Sequence, residues 1–163
     1  MSVNLIYSAT ENRVIGNRGR LVAMIPEDLK QFKELTTGGV VIMGSATYNS
    51  LPAKRRPLKD RTNIVLSRDP RYKVHGCKVY HDLHDAIKDH GDQAIWVIGG
   101  GDVFKQAIDV ADKIYLTTVY ADLPGDTYAP EIDPDRWHPV YMSEKLTHAD
   151  LTYRYTHYEK KHD

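Results

Sequence analysis

The chain predicts an α/β protein with the three-layer fold, a mostly parallel central sheet of about eight strands, an antiparallel C-terminal edge and about four helices. Three observations carry this expectation. Short apolar runs rich in β-branched residues recur through the first two thirds of the chain. Stretches with helical spacing of apolar residues separate them, and beyond residue 112 a plain apolar/polar alternation takes over. In order, V-N-L-I-Y-S-A (3–9), G-V-V-I-M-G (39–44), T-N-I-V-L-S (62–67), C-K-V-Y (77–80) and A-I-W-V-I-G (94–99) read as buried strands. Between them E-D-L-K-Q-F-K-E-L (27–35), T-Y-N-S-L (47–51), L-H-D-A-I-K-D-H (83–90) and D-V-F-K-Q-A-I-D-V-A (102–111) read as helices, supplying the crossovers that parallel strands need. K-I-Y-L-T-T-V-Y (113–120), H-P-V-Y-M-S-E-K (138–145) and L-T-Y-R-Y-T-H-Y (151–158) form the antiparallel edge. The last of these places Tyr153, Tyr155 and His157 on one face, with Arg154 and Thr156 on the other.

A chain of 163 residues suits one domain, expected to span 1–163. Its 22 Lys and Arg balance 22 Asp and Glu, so the overall field gives no reason to expect nucleic acid or an anionic membrane as a partner. Any anion site must be local. A single cysteine, Cys77, excludes an intramolecular disulfide framework, and the N-terminal M-S-V-N-L-I-Y-S-A-T has neither a basic lead nor a long apolar segment. A soluble cytoplasmic protein is expected. The eight histidines show no metal-ligand spacing, and no metal is expected.

Four constellations point to chemistry. With Pro26 in the first turn of a helix, Asp28 shares a face with Phe32 and Leu35, while Lys30, Gln31, Lys33 and Glu34 take the rest of the surface. Asp28 either satisfies the helix N-terminus or waits, partly buried, for an amidine-like ligand edge with two parallel donors. W-V-I-G-G-G-D-V-F (96–104) puts three glycines between a strand and a helix, where backbone N–H groups approach a phosphate. Thr47, Ser67 and Arg68 follow strand ends, the usual place for a ligand on an open parallel sheet. Arg61, at the end of the basic loop P-A-K-R-R-P-L-K-D-R (52–61), suits a substrate carboxylate, whereas Lys54, Arg55, Arg56 and Lys59 read as solvated.

Taken together, N-R-V-I-G-N-R-G, I-P-E-D-L-K-Q-F-K-E-L-T, V-V-I-M-G-x-x-T-Y, R-P-L-K-D-R-T-N-I-V-L-S-R, W-V-I-G-G-G-D-V-F, I-Y-L-T and G-D-T-Y-A-P resemble the bacterial type of dihydrofolate reductase, over nearly the whole chain. The resemblance implies NADPH-dependent reduction of 7,8-dihydrofolate to tetrahydrofolate, by hydride transfer to C6 and protonation at N5, in a monomer that also binds antifolates. It implies that Asp28 holds the pterin, supported by Thr117 through water. Ile6, Tyr7, Phe32, Leu51 and Ile98 would line the pterin and nicotinamide pocket, and Arg61 would take the glutamate-tail carboxylate. Cofactor contacts are implied at Ser8, Ile15, Gly16, Gly44, Ser45, Thr47, Gly99, Gly100, Gly101, Asp102, Val103 and Phe104, with Ser67 and Arg68 at the 2′-phosphate. Asn17 to Met24 would be a closing loop.

Two departures fall in this set. Val22 and Ala23 stand where the family has proline and tryptophan, which removes an indole donor and an apolar lid. Ser45, followed by Ala46, stands where an arginine is usual, so Arg68 carries more of the phosphate binding. Two other readings remain open from sequence: a reductase of the same fold acting on another pterin or pyrimidine, and a folate- or nucleotide-binding protein with weak turnover.

Overall fold

The central strands are mostly apolar because both faces of the sheet are covered. In the computed structural model, which describes residues 2–162, the elements follow in order. They are β1 (Val3–Thr10), β2 (Val14–Asn17), β3 (Arg20–Leu21), α1 (Pro26–Thr36), β4 (Val40–Gly44), α2 (Ser45–Ser50), a 3-10 turn (Ala53–Arg55), β5 (Thr62–Leu66) and β6 (Lys78–Tyr80). There follow α3 (Leu83–Asp89), β7 (Ile95–Gly99), α4 (Gly101–Ala107), β8 (Lys113–Val119), β9 (Thr127–Tyr128), β10 (Trp137–Met142), β11 (Leu146–His148) and β12 (Leu151–Lys160). The main sheet has the order β10-β12-β8-β1-β7-β4-β5-β6, with β11 added against β12. Pairing is parallel from β8 to β6 and antiparallel wherever β12 takes part. This is the expected architecture.

Alternation along the strands divides the core into two layers. Leu5, Val40, Ile42 and Val97 pack with Leu83 and Ala86 of α3 and with Val103, Phe104 and Ala107 of α4. Val41, Met43, Val65 and Trp96 point the other way, against Tyr48 of α2, Leu35 of α1 and Leu51. Two polar residues, Asn4 in β1 and Asp112 just before β8, fix the ends. Asn4, 2% exposed, donates from Nδ2 to Ile95 O and Ser2 Oγ, each at 3.1 Å. Val3 N donates to Asp112 Oδ2 at 2.9 Å while Asp112 N donates to Val3 O at 2.8 Å, bringing the start of β8 to the start of β1.

Several boundaries differ from expectation. The last helix stops at Ala107 rather than 111, because Val110 N turns back to Ala107 O and Asp112 is already tied to β1. The strand expected over 138–145 ends at Met142, and its register shifts between Pro139 and Tyr141, where proline has no N–H for the ladder. Four short strands, β2, β3, β9 and β11, were not expected. β2 pairs with β3 and β9 in a separate three-stranded ribbon. Arg18 and Gly19 both have positive φ, +51° and +77°, which is the two-residue hairpin geometry that matches strand twist.

The basic loop before β5 is pinned by Asn63, 3% exposed. Its Oδ1 accepts from Leu58 N at 2.8 Å, and its Nδ2 donates to Leu58 O and Arg61 O at 2.9 and 3.0 Å. Asn63→Ala leaves these backbone groups without their partner and is expected to cost about 1–3 kcal/mol in urea denaturation. A loss below about 0.5 kcal/mol would show that solvent takes over the bonds.

Candidate active site

A cleft of about 1800 Å³ opens at the carboxyl ends of the parallel strands. It is larger than the roughly 300–1,000 Å³ of a site for one drug-sized ligand. Residues from β1, β4, β5 and β7 reach it through Tyr7, Gly44, Leu66 and Ile98, and the helices that follow those strands complete its walls. Of the site residues expected from sequence, Ile6, Tyr7, Ser8, Ile15, Gly16, Asp28, Phe32, Gly44, Ser45, Thr47 and Leu51 line it. Ser67, Arg68, Ile98, Gly99, Gly100, Gly101, Asp102, Val103 and Phe104 line it as well.

Asp28 lies on the inner wall and does not cap its helix. The N-cap position of α1, Ile25, receives no side-chain hydrogen bond. Instead Ser8 Oγ donates to Asp28 Oδ2 and Thr117 Oγ1 donates to Asp28 Oδ1, both at 2.6 Å. Thr117 therefore meets the acid directly, where a water-bridged contact was expected. Ser8, expected on the cofactor side, has its hydroxyl committed to the acid. The arrangement follows from register: Ser8 and Thr117 are paired across β1 and β8, on the sheet face that α1 covers. A carboxylate has about four acceptor positions, and one hydroxyl on each oxygen leaves one position per oxygen for two parallel donors.

Apolar surface flanks the acid. Ile6, Phe32, Leu51 and Ile98 line the cleft on this side, and Leu21 and Met24, 54% and 58% exposed, present further apolar side chains. Ala23 is directed elsewhere, into the cluster of Ile25, Val119, Tyr153 and Tyr155, while Val22 N donates to Ile15 O. The lid expected to be lost at residue 23 is thus absent there, and the apolar side chains of this segment that line the cleft are those of Leu21 and Met24. Tyr7 packs on Phe104 with ring centroids 4.8 Å apart, and burial pushes its phenol well above the ordinary tyrosine range.

Arg61 does not line the cleft. Its guanidinium lies 5.9 Å from the Phe32 ring centroid, with Nη1 donating to Thr36 Oγ1 at 3.1 Å and Nε to Lys59 O at 2.8 Å. It is an oriented cation joined to the end of α1. Arg56, read as solvated, donates to Asn49 O and sits 5.7 Å from the Tyr48 ring centroid.

The glycine turn is shaped by close approach. Gly99 has φ +150°, and a Cβ there would stand 2.9 Å from Thr47 Oγ1; a Cβ on Gly101 would stand 2.7 Å from Tyr128 O. The far end of the cleft carries Ser67, Arg68 and His81. His81 Nδ1 is 2.7 Å from Ser67 O, and because a carbonyl only accepts, Nδ1 holds the proton and Nε2 is left for a ligand. Sequence reasoning missed His81. It also missed Thr127 and Tyr128, although the G-D-T-Y-A-P segment containing them had been noted, and the polar D-T pair after Gly125 was the available signal.

Asp126 fastens the β2–β3 hairpin over the cleft. Its Oδ2 accepts from Arg18 N at 3.0 Å and its Oδ1 from Thr127 Oγ1 at 2.9 Å. These donors, the Arg18 amide first, hold its carboxyl below the usual aspartate range. The hold is complete above the ordinary aspartate value of about 3.9 and is lost as pH falls through the lowered value. The Arg18 amide resonance is therefore expected to titrate below that value, and Asp126→Ala to abolish the titration and speed amide exchange at Arg18. An amide that titrates at the ordinary value would contradict the contact.

The chain matches the family model described as "Dihydrofolate reductase" over residues 2–160. It is 36% identical over 161 residues to the dihydrofolate reductase of Mycobacterium tuberculosis (strain CDC 1551 / Oshkosh), covering 97% of this chain and 98% of that protein. Against the dihydrofolate reductase of Bacillus subtilis (strain 168) it is 34% identical over 163 residues, covering 98% and 95%. Among solved structures, the Enterococcus faecalis dihydrofolate reductase complexed with NADP(H) and RAB-propyl aligns with a TM-score of 0.90 and 31% identity, covering 99% of this chain and 97% of that one. A carboxylate framed by two hydroxyls in a cleft of this shape, together with matches across the whole length, places this chain in the dihydrofolate reductase family.

Proposed function

We propose that this protein reduces 7,8-dihydrofolate to 5,6,7,8-tetrahydrofolate with NADPH, as a single-domain cytoplasmic monomer spanning 1–163. The observation that carries the reading is Asp28, with one acceptor position free on each oxygen at the inner wall of an apolar cleft. The 2-amino group and adjacent ring nitrogen of a pterin offer two parallel donors at the matching spacing. Ile6, Phe32, Leu51 and Ile98 would enclose the flat ring and exclude water. Arg61, its guanidinium already oriented by Thr36 and Lys59, would take the glutamate-tail carboxylate.

The remaining length of the cleft fits a dinucleotide. Thr47 and the turn Gly99 to Asp102 would face its pyrophosphate, and Ser67 and Arg68, joined by His81, its 2′-phosphate. Ser45 places no cation there, so the preference for NADPH rests on Arg68 and His81. NADPH, when bound, supplies the hydride that passes from nicotinamide C4 to C6 of the pterin. The chain's own part is alignment and electrostatics. Asp28 holds the amidine edge, stays away from N5, and raises the effective basicity of the ring so that water protonates N5. The β2–β3 hairpin, with Leu21 and Met24, would close over this site.

Among the described residues no helix is long and apolar enough to cross a membrane.

NADPH oxidation with dihydrofolate, followed by absorbance and run beside NADH, tests the reading. Turnover is expected with NADPH, and Asp28→Asn is expected to lower kcat/KM and the affinity of 2,4-diaminopyrimidine antifolates by about a hundredfold, the loss of a charge-assisted pair. Unchanged inhibitor affinity in that variant would remove the pterin from this wall. Tight NADPH binding with no turnover would leave a nucleotide-binding protein.

A further inference from the structure

Among the described residues, the arginines and lysines that line the cleft are Arg13, Arg20, Arg68 and Lys105. The part of the cleft assigned to the pyrophosphate, Thr47 and the turn Gly99 to Asp102, brings an acid and no cation of its own. Backbone N–H groups and one hydroxyl offset only part of two phosphate charges, and Asp102 opposes them. The missing charge must come from another element. Arg68 belongs to the 2′-phosphate end, and Arg13 donates from Nη1 to Ala129 O at 3.4 Å. Lys105 sits in the last turn of α4, carried away from the glycine turn by the helix. Arg20 remains.

The ribbon β3-β2-β9 connects Arg20 to that turn. Its strand β9 lies directly against the glycines: a Cβ on Gly101 would stand 2.7 Å from Tyr128 O and 3.4 Å from Thr127 Cγ2. Thr127 pairs with Gly16 of β2, and the next residue, Asn17, pairs with Arg20 of β3. Two strand spacings, about 10 Å, therefore separate Arg20 from the strand that abuts the turn. An extended arginine spans much of that distance. The ribbon is fastened on the β9 side, where Asp126 N donates to Gly16 O and Arg18 N donates to Asp126 Oδ2, each at 3.0 Å. Its other margin is β3, whose two residues are both exposed. Among the described residues the one ion pair within 4 Å joins Arg136 to Asp109, so Arg20 lines the cleft with its charge unpaired.

We propose that Arg20 is a cofactor-binding residue: carried on the outer strand of the hairpin, its guanidinium closes on the pyrophosphate of the dinucleotide and supplies the charge that the glycine turn lacks. This inference rests on the assignment of the cleft to NADPH. Closing of the hairpin and capture of the cofactor are then one event, because the cation arrives and leaves with β3. A pyrophosphate is common to NADPH and NADH, so Arg20 holds both alike and leaves the discrimination between them to Arg68 and His81.

The test is the binding of NADPH and of NADH, without pterin, by equilibrium titration and by stopped-flow dissociation. It compares the parent with Arg20→Met, which keeps an unbranched stem without the charge, and with Lys105→Met, each at low and at high salt. At low ionic strength Arg20→Met is expected to bind both dinucleotides about tenfold more weakly, the loss of a charge-assisted contact, with most of the change in the dissociation rate. At high salt, about 0.5 M, the deficit is expected to shrink to about threefold or less, because an ion contact at an exposed rim is screened. Lys105→Met is expected to stay within about twofold of the parent at both salt concentrations.

Unchanged affinity in Arg20→Met overturns the inference. A loss confined to NADPH overturns it as well, since the guanidinium then serves the 2′-phosphate. So does a deficit of the same size at both salt concentrations, which is what a damaged hairpin rather than a missing charge produces, and so does a larger loss in Lys105→Met than in Arg20→Met. A parent protein that binds neither dinucleotide overturns the NADPH assignment itself, which separates the two failures.

Discussion

A carboxylate held by hydroxyl donors at the edge of an apolar cleft is the interaction on which the rest of this structure depends. Burying a charge beside Ile6 and Phe32 is costly unless its oxygens are bonded. Three elements must converge to bond them: α1 carries Asp28, and β1 and β8 bring Ser8 and Thr117 to within 2.6 Å of it. The parallel pairing of β1 with β8 and the packing of α1 on their shared face are therefore conditions of the site as much as features of the fold. Satisfying each oxygen once, and no more, is what leaves the acid both tolerable to the core and open to a ligand.

The two ends of the cleft answer different chemical demands. Near Asp28 the walls are apolar and one anion is fixed. At the far end the lining includes the hydroxyl of Ser67, the guanidinium of Arg68 and the imidazole of His81. The chain balances its charges overall, so this division is local, made by strand ends and the loops that follow them. The position of Ser45, without a cation, makes that far end depend on the segments that follow β5 and β6, held together by the Ser67 carbonyl and the His81 ring.

Much of this was legible in the sequence because buried parallel strands leave a strong signal. The five apolar runs became β1, β4, β5, β6 and β7, and the helical spacings became α1 to α4. The residues expected to line the site reached one cleft, with Arg61 and Thr117 standing beside it rather than in its wall. What was missed has physical reasons. β2, β3 and β9 are two to four residues long, too short for alternation to show, and they form through a turn at Arg18-Gly19 and the tie to Asp126. The direct bond from Thr117 and the diversion of Ser8 depend on cross-strand register, which no local pattern reveals. His81 becomes visible only when β5 and β6 pair and bring the segment after β6 to Ser67.

Adjacent residues of β1 serve opposite sides of the sheet. Tyr7 packs on Phe104 in one layer, and Ser8 turns to Asp28 in the other. A slip of one residue in this strand would exchange them, setting a phenol against the acid and a small hydroxyl against the Phe104 ring. The buried amide of Asn4, bonded across to Ile95, stands at the head of the same strand and works against such a slip. A residue at the opposite end of β1 from the cleft thus acts as an indexing pin: it specifies which side chain each layer receives, and through that the chemistry of a site it never touches.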